Sequence, residues 1–323
     1  MSPAICLRLA DEIVSLGEEL TVIWHGGEPL ACGIHRFEQL LEPFADRCRA
    51  LVRHGLQTNA TLIDDKWCDL FEKHRIQVGA SIDGASDLNH NRVDWSGRAT
   101  FEPALRGIRF LQKRNINYSV IAVVGESSLG KAKELYRFFA DLGCTRLGIN
   151  IEEQEGANRK PVLDDERVTA FWEDLFEAWL ANPAVTIREF STKIQWLLRD
   201  RSDPTSDPFN NVDIFPSVAY NGDVVLLSPE LLGVKDPRHE NFIVGNLLRD
   251  SLRAIVFKGA SVPYVRQYVA GVKKCHAQCE YFNYCGGGQA SNKYFELDDI
   301  SGTETGFCRN MSQRLVQAIL AKS

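Results

Sequence analysis

The stretch "LTVIWHGGEPL", residues 20–30, decides the fold, because it joins a short apolar run to a glycine-rich turn. The first five residues are rich in β-branched and aromatic side chains and predict a buried strand. Gly26 and Gly27 follow directly, at the end of a strand where α/β folds bind ligands. Glu28 supplies a carboxylate suited to a ligand ammonium group, and Pro29 stiffens the exit. The alternative is a tight turn with a solvated glutamate, and His25 is expected to be a packed or surface residue.

Outward from this turn, helical and extended patterns alternate, which predicts an α/β fold with a parallel sheet. The predicted strands are 20–24, 54–58, 76–81, 118–124 and 146–151, and the predicted helices are 3–16, 34–53, 64–74, 101–114 and 130–142. The chain begins on a helix, with Ser2 as the N-cap and Pro3 at the first helical position. A first strand is therefore missing from the series, and five strands remain where a six-strand partial barrel would fit.

The alternation is predicted to stop after residue 151, where helices at 165–182 and 187–199 follow. The segment "RSDPTSDPFNN", 201–211, is rich in proline and aspartate and predicts a linker. We therefore divide the chain into a barrel with linking helices, 1–200, and a second domain, 201–323. A hairpin is predicted to turn at Asn221-Gly222, and the remainder is expected to be rich in loops.

The composition excludes several classes of protein. The 323 residues carry a net charge of −6, which gives no general attraction to nucleic acid or anionic lipid. No apolar run reaches the roughly 18–20 residues that span a bilayer, and the N-terminus does not have the pattern of a signal peptide. These features predict a cytoplasmic protein in a reducing environment, without nucleic-acid or membrane partners.

Nine cysteines need an explanation in such a protein. Five are scattered and are expected to be small buried apolar residues, namely Cys6, Cys32, Cys48, Cys68 and Cys144. Four lie near the C-terminus with intervening lengths of three, five and 22 residues, namely Cys275, Cys279, Cys285 and Cys308. Four thiolates hold either tetrahedral zinc or an iron–sulfur cluster. The spacing alone leaves iron–sulfur, zinc and no metal open.

Further polar residues follow the other predicted strands. They are Thr58 and Asn59 in "QTNAT", Ser81 and Asp83 in "ASIDG", Asn150 and Glu152 in "INIEEQ", and Arg92 in "NHNRVDWSG". Because the carboxyl ends of parallel strands share one edge, these groups are expected at one rim of the barrel. Together they suit a ligand with amine, carboxylate and ribose groups.

Both regions resemble one family. The segments "HGGEPL", "QTNATLI", "ASIDG" and "NHNRVDWSG" resemble radical S-adenosylmethionine (SAM) enzymes. The tail "CHAQCEYFNYCGGGQASNKYFE…TETGFCR" resembles their SPASM extension, a C-terminal domain with auxiliary [4Fe–4S] clusters. The resemblance implies a partial (β/α)6 radical SAM barrel lacking its first strand, followed by a SPASM domain.

The resemblance also implies roles for individual residues. Gly26, Gly27, Glu28 and Pro29 match the turn that binds the SAM amino group, and Ser81 and Arg92 match contacts to its ribose or carboxylate. Thr58, Asn59 and Asp83 are weaker matches to the SAM site. The four clustered cysteines match the ligands of one auxiliary [4Fe–4S] cluster. The implied function is a peptide maturase that cross-links side chains of a ribosomally synthesised precursor peptide, with flavodoxin or ferredoxin as the electron donor.

Two departures from the family pattern qualify these expectations. The predicted hairpin lacks cysteine and Gln289 occupies another ligand position, so one auxiliary cluster is expected rather than two. The family's Cys-x3-Cys-x2-Cys loop, which holds the radical-generating cluster, is absent from the sequence. Its place lies just before Met1, so we expect a longer parent and an inactive chain as written. A non-catalytic descendant that binds a peptide or partner, and a zinc-containing α/β protein, are the alternatives.

Overall fold

The computed structural model describes residues 1–198 and 214–322. Its first part alternates helices and strands, and all six strands form one parallel sheet in chain order. These elements are α1 (Pro3–Leu16), β1 (Leu20–Trp24), α2 (Ile34–Arg47), β2 (Val52–Thr58), α3 (Asp65–His74), β3 (Gln77–Ser81), α4 (Phe101–Lys113), β4 (Tyr118–Val124), α5 (Ala132–Leu142), β5 (Arg146–Ile151), α6 (Asp165–Ala181), β6 (Thr186–Ile187) and α7 (Arg188–Leu198). The predicted α/β partial barrel is confirmed.

Two sequence predictions about this sheet are wrong. The alternation does not stop after β5, because β6 adds two residues to the sheet beside β5. So short a strand leaves no periodic pattern in the sequence. The helix predicted over 34–53 ends at Arg47, because the chain turns at Cys48 and enters β2 at Val52.

The barrel core lies between the sheet and its helices. In β4, alternate residues from Tyr118 to Val124 are buried against the helices, while the residues between them are half-buried on the inner face of the barrel. Inner-face residues of β2 and β3 include Gly55, Gln57 and Ser81. This alternation is the period of two that a strand imposes on its side chains.

The C-terminal part contains a small antiparallel sheet and several helices. Its elements are β7 (Ser217–Val218), β8 (Asp223–Val225), β9 (Gly245–Asn246), α8 (Leu252–Gly259), α9 (Pro263–Gln278), α10 (Phe282–Cys285), α11 (Ala290–Leu297), α12 (Gly306–Cys308) and α13 (Arg314–Lys322). The hairpin turns at Asn221-Gly222 as predicted, with Ser217 opposite Val225. The expectation of a loop-rich remainder is wrong, because most of it is helical.

The two parts exchange elements across the predicted domain boundary. Leu315, Ala318 and Ile319 of α13 belong to the barrel core, whereas Ile5 of α1 packs in the core of the C-terminal part. The predicted linker at 201–211 lies outside the described residues, so the division at residue 200 stays a prediction. None of the described helices combines the length and apolar character needed to cross a membrane.

The scattered cysteines follow expectation with one exception. Cys6, Cys48, Cys68 and Cys144 are buried, whereas Cys32 is exposed. Cys32 ends the short 3-10 turn Pro29–Cys32, which lies at the surface after the glycine turn. The prediction that all five are buried is therefore wrong for Cys32.

Candidate functional site

The Gly-Gly-Glu-Pro turn is open on its outer side. Gly26 and Gly27 have φ angles of 89° and 68°, in the left-handed region that favours glycine. A Cβ atom built at either residue would meet no heavy atom within 4 Å. Backbone conformation therefore requires the glycines, and the turn presents its main chain to free space at the carboxyl end of β1.

Glu28 fixes this turn to the neighbouring strand. Its carboxylate accepts hydrogen bonds from the Thr58 hydroxyl at 2.6 Å, the Asn59 backbone N–H at 2.7 Å and the Leu30 backbone N–H at 3.0 Å. The structure thus brings together three of the predicted residues, Glu28, Thr58 and Asn59. Because three donors already bind the carboxylate, its evident role is to fix the turn, and a ligand ammonium would be an additional partner.

Thr58 and Asn59 also shape the turn after β2. The buried Thr58 hydroxyl accepts a hydrogen bond from the Ala60 N–H at 3.1 Å. The Asn59 side-chain oxygen accepts from both the backbone N–H and the hydroxyl of Thr61. Asn59 therefore makes an Asx-type turn, which is sufficient to explain its side chain without a ligand.

Asp83 and Arg92 form a second group at the same edge of the sheet. The Arg92 guanidinium donates to the Asp83 carboxylate at 2.7 Å, and the same oxygen accepts from the Val123 N–H at 2.8 Å. Both residues line a cavity of about 250 Å³, which Glu152 also borders. The Nε of Arg92 is buried without a hydrogen-bond partner. A cation held by a carboxylate at a cavity wall is suited to bind an anionic group.

Ser81 lies on the inner face of the barrel beside a residue that the sequence analysis missed. Gln57 donates a hydrogen bond from its side chain to the Ser81 hydroxyl at 2.7 Å. Gly79 makes room for this contact, because a Cβ there would lie 2.3 Å from the Gln57 side-chain oxygen. The sequence did contain a signal for Gln57. It lies one residue before Thr58, so it points to the opposite face of β2, which is the inner face of the barrel.

The four C-terminal cysteines surround one cavity. Cys275 lies in the last turn of α9, Cys279 directly follows α9, Cys285 ends α10 and Cys308 ends α12. All four are free thiols, and all four line a cavity of about 310 Å³. The structure therefore brings the four cysteines, which lie in or next to separate helices, to one place. The sequence had shown only that they are spaced closely along the chain.

The cavity has backbone features that are typical of iron–sulfur sites. Within residues 1–198 and 214–322, no three histidine, cysteine or carboxylate side chains lie close enough to hold one metal ion, so the interpretation depends on the cavity lining and on the backbone donors. Gly286, Gly287 and Gly288 all have positive φ, and the N–H groups of Gly287 and Gly288 point at the Cys285 sulfur. Amide donors to sulfur are typical of iron–sulfur sites.

The thiols do not have uniform acidity. The Cys308 thiol donates a hydrogen bond to the Cys285 sulfur, which lowers the pKa of Cys285 and raises the pKa of Cys308. Burial raises the pKa of Cys275 and of Cys279 above the usual value for a thiol. The hydrogen bond between Cys285 and Cys308 means that their sulfurs lie close together, as two ligands of one group must.

Three charged residues near these sites escaped the sequence analysis. Burial raises the pKa of Glu153 to about 7, and it lowers the pKa of Lys193 and of Lys293. The sequence contains a clue to Lys293, because this residue lies in the "NK" pair of the tail that resembles a SPASM extension. It contains no clue to Glu153 or Lys193, because their burial arises only in the tertiary structure.

Comparison with known proteins identifies the family. The sequence model described as "Radical SAM superfamily" matches residues 1–139. The uncharacterized protein sll1766 of Synechocystis sp. is 33% identical over 313 residues, which cover 93% of this chain and 78% of that protein. The chain belongs to the radical SAM superfamily. The resemblance stated from the sequence is confirmed, and so is the assignment to a family of enzymes.

Two other relatives of this radical SAM chain are named as enzymes. The serine-type anaerobic sulfatase-maturating enzyme of Klebsiella aerogenes is 34% identical over 142 residues, 43% of this chain and 35% of that enzyme. The cysteine-type enzyme of Clostridium perfringens (strain 13 / Type A) is 28% identical over 190 residues, 55% of this chain and 51% of that enzyme. The chain thus spans a third to a half of the length of these two relatives.

Solved structures show the same fold over nearly the whole radical SAM chain. Native anSMEcpe with bound AdoMet and the Cp18Cys peptide has a TM-score of 0.81 at 20% identity, covering 100% of this chain and 90% of that one. Streptococcus suis SuiB bound to the precursor peptide SuiA has a TM-score of 0.69 at 17% identity, covering 95% and 69%. The likeness of fold includes the C-terminal part that resembles a SPASM extension.

Proposed function

We propose that this chain is the SAM-binding barrel and auxiliary-cluster region of a radical SAM/SPASM peptide maturase. The observation that carries the proposal is the convergence of Cys275, Cys279, Cys285 and Cys308 on one cavity in a radical SAM chain. The substrate in this proposal is a ribosomally synthesised precursor peptide, in which the complete enzyme forms a side-chain cross-link.

The proposed SAM site uses the two groups of residues at the carboxyl edge of the sheet. Gly26 and Gly27 present main-chain groups to the amino end of the ligand, and Pro29 limits the freedom of the turn. Glu28 acts with Thr58 and Asn59 by holding the turn against β2. These contacts preorganise the site, so less ordering is required when the ligand binds.

The ribose and carboxylate of SAM fit the second group in this proposal. Arg92 is already oriented by Asp83 and offers donors at the wall of its cavity. Ser81 offers a hydroxyl, which Gln57 orients. In the complete enzyme, reductive cleavage of SAM would supply the 5′-deoxyadenosyl radical that abstracts hydrogen, and Ser81, Arg92 and the glycine turn would bind and orient the ligand.

The auxiliary site is proposed to hold one [4Fe–4S] cluster. Four free thiols around about 310 Å³ fit a group larger than a single ion, and the N–H groups of Gly287 and Gly288 fit its sulfides. A cluster bound here supplies one-electron redox chemistry or a substrate ligand position. Zinc is the rival occupant, and it requires the four sulfurs to close to about 2.3 Å from one ion.

The proposed substrate and electron donor are supported by the relatives. The structural neighbours include one with a Cp18Cys peptide and one with a precursor peptide, and two relatives are sulfatase-maturating enzymes. These names support modification of a peptide or protein side chain. A cross-link is our proposal for the bond, flavodoxin or ferredoxin for the reductant, and the cytoplasm for the location.

The test begins with anaerobic reconstitution of the chain and analysis of its iron, sulfide and zinc. We expect about four iron and four sulfide per chain, as in one [4Fe–4S] cluster. The Cys275→Ser/Cys285→Ser variant should lose both, while Cys68→Ser, at a buried cysteine away from the cavity, should retain them. Stoichiometric zinc without iron would overturn the cluster and favour a zinc-containing protein.

A second measurement addresses the SAM site and the radical chemistry. Calorimetry should show SAM binding that Arg92→Gln weakens and that Arg98→Gln, at an exposed arginine, does not. Because the 323 residues contain no Cys-x3-Cys-x2-Cys triplet, this chain alone should form no 5′-deoxyadenosine. Formation of that product would contradict the expected inactivity. Absence of an in-frame triplet in the DNA upstream of Met1, together with peptide binding, would favour a non-catalytic binding protein.

A further inference from the structure

Two lysines are buried beside the cysteine cavity. Lys293 of α11 is 1% exposed and Lys193 of α7 is 8% exposed. Lysine is almost never buried to this extent without a compensating partner. A buried ammonium group is unfavourable unless an anion or hydrogen-bond acceptors stabilise its charge. The residues around each lysine therefore indicate which anion or acceptor stabilises its ammonium charge.

Lys293 is held against the first cysteine. Its ammonium nitrogen lies 3.9 Å from the Cys275 sulfur and 5.3 Å from the centre of the Tyr268 ring. Gly271 leaves room for it, because a Cβ there would lie 3.0 Å from the ammonium nitrogen. Burial lowers the pKa of Lys293, and the sulfurs of Cys275, Cys308 and Cys285 oppose that shift when they carry negative charge.

Lys193 approaches the segment that carries Cys285 from the side of the barrel. Its ammonium group donates a hydrogen bond to the carbonyl oxygen of Tyr284, the residue before Cys285. The one carboxylate among the groups that act on Lys193, Glu189, already accepts from the Ile149 N–H at 2.9 Å and pairs with Arg188. The other groups that act on Lys193 are the sulfurs of Cys285 and Cys308 when they carry negative charge.

We propose that Lys193 and Lys293 are positioned to raise the reduction potential of the iron–sulfur cluster bound by the four cysteines. The inference rests on the proposed function, because it requires a cluster at this site. One-electron reduction adds a negative charge to a cluster, so a fixed ammonium group nearby stabilises the reduced form more than the oxidised form. The effect is strong where water is excluded and charges are poorly screened.

The exposed Lys274 provides a matched control. It belongs to the same helix as Cys275 and is the residue immediately before it. Its ammonium group donates to the Ser301 carbonyl and hydroxyl oxygens at 3.1 Å, on the surface. Removing this charge changes the net charge of the chain as much as removing Lys293, but water screens it from the cavity.

The experiment compares the reconstituted chain with Lys293→Met, Lys193→Met and Lys274→Met. Iron and sulfide are measured for each protein, and the midpoint potential of the cluster is determined by reductive titration followed by electron paramagnetic resonance. We expect Lys293→Met and Lys193→Met to shift the potential to more negative values, while Lys274→Met leaves it unchanged. Lys193→Arg, which keeps the charge, should remain close to the parent chain.

The outcomes separate this inference from the proposed function. Intact clusters with unchanged potentials in both buried-lysine variants would overturn the inference and leave the proposed function standing. Failure of the parent chain to bind iron and sulfide would overturn both. If Lys293→Met does not retain a cluster, the comparison of Lys193→Met with Lys193→Arg decides, because a merely structural role of Lys193 would not shift the potential of an intact cluster.

Discussion

Thr58 shows how a single buried hydroxyl fixes the candidate SAM site. It donates to Glu28 and accepts from Ala60, so it joins the turn after β1 to the turn after β2. Both contacts are hydrogen bonds of the Thr58 hydroxyl and not apolar packing. A valine at this position, which has nearly the same size, would therefore remove both of them.

Thr58→Val should lower the free energy of unfolding by about 1–2 kcal/mol, because it removes a hydrogen bond between the buried Thr58 and the half-buried Glu28 carboxylate. Urea unfolding followed by tryptophan fluorescence measures this, and calorimetry should show weaker SAM binding. Thr21→Val, at an exposed position on β1, is the control and should change neither quantity. Equal stability of Thr58→Val and the parent chain would contradict the role assigned to this hydroxyl.

Gly107 of α4 packs against the turn after β2, at Ala60. A Cβ at this position in α4 would lie 1.9 Å from the Ala60 carbonyl oxygen, which cannot move without displacing the turn. Alanine favours a helix over glycine by about 1 kcal/mol, yet an overlap with backbone costs more. Gly107→Ala should therefore lower the free energy of unfolding by about 1–3 kcal/mol.

The control for Gly107→Ala is Gly55→Ala on β2. There the added methyl group would meet only the Ile23 side chain, at an ordinary contact distance of 3.6 Å. Thermal unfolding of both variants should show a loss of stability for Gly107→Ala alone. Similar melting temperatures for the two variants would contradict this prediction, because they would mean that the turn after β2 can move to accept the methyl group at little cost in stability.

At the scale of elements, α13 is the least expected feature. It lies at the end of the chain, after the last cysteine, but it packs against α6 and joins the barrel core. Arg314 at its start pairs with Asp165 at the start of α6 at 2.7 Å. The chain therefore returns to the barrel after completing the cysteine cavity, and this return holds the cavity against the barrel.

Adjacent residues of α13 provide a direct test of this packing. Ile319 is 1% exposed, whereas Leu320 is 55% exposed. Ile319→Ala should lower the free energy of unfolding by about 2–5 kcal/mol, because it leaves a cavity in the barrel core. Leu320→Ala should stay within about 0.5 kcal/mol of the parent chain. Denaturant unfolding measures both, and comparable effects would contradict the observed orientation of α13.

At the scale of the whole molecule, polar contacts join the barrel to the C-terminal part. The Asn292 side chain of α11 donates to the Glu153 carboxylate after β5. The buried Trp172 indole of α6 donates to the Asn310 carbonyl oxygen at 2.9 Å. Lys193 of α7 binds the Tyr284 carbonyl oxygen. Each contact joins a residue of the barrel to a residue of the C-terminal part.

The Glu153 contact should make stability depend on pH. Burial raises the pKa of Glu153 from 4.5 to about 7, so the folded chain binds a proton more tightly than the unfolded chain. The free energy of unfolding should therefore fall as the pH rises from about 4.5 to about 7, by about 1–3 kcal/mol. Urea unfolding across this range measures the slope.

Glu153→Gln should remove this component of the slope. It should be more stable than the parent chain at pH 8, where Glu153 is ionised, and similar to it near pH 4.5. Glu42→Gln, at an exposed glutamate of α2, should retain the slope of the parent chain. An unchanged slope in Glu153→Gln would show that another group causes the dependence.

The sequence by itself determined five of the six strands of the parallel sheet, the glycine turn and the set of four cysteines. Each is a local signal: β-branched runs, a Gly-Gly-Glu-Pro turn and close cysteine spacing act over a few residues. The polar residues after successive strands were also predictable, because parallel strands place their carboxyl ends at one edge. Their individual functions as ligands of SAM stay predictions.

Only the tertiary structure decided which partners these residues have. β6 and the position of α13 depend on contacts between residues far apart in the chain, so no local pattern marks them. Glu28 looked like a free carboxylate until the fold brought Thr58 and Asn59 to it. Lys193 and Glu153 look like ordinary surface charges in the sequence, since burial arises only when separate elements pack together.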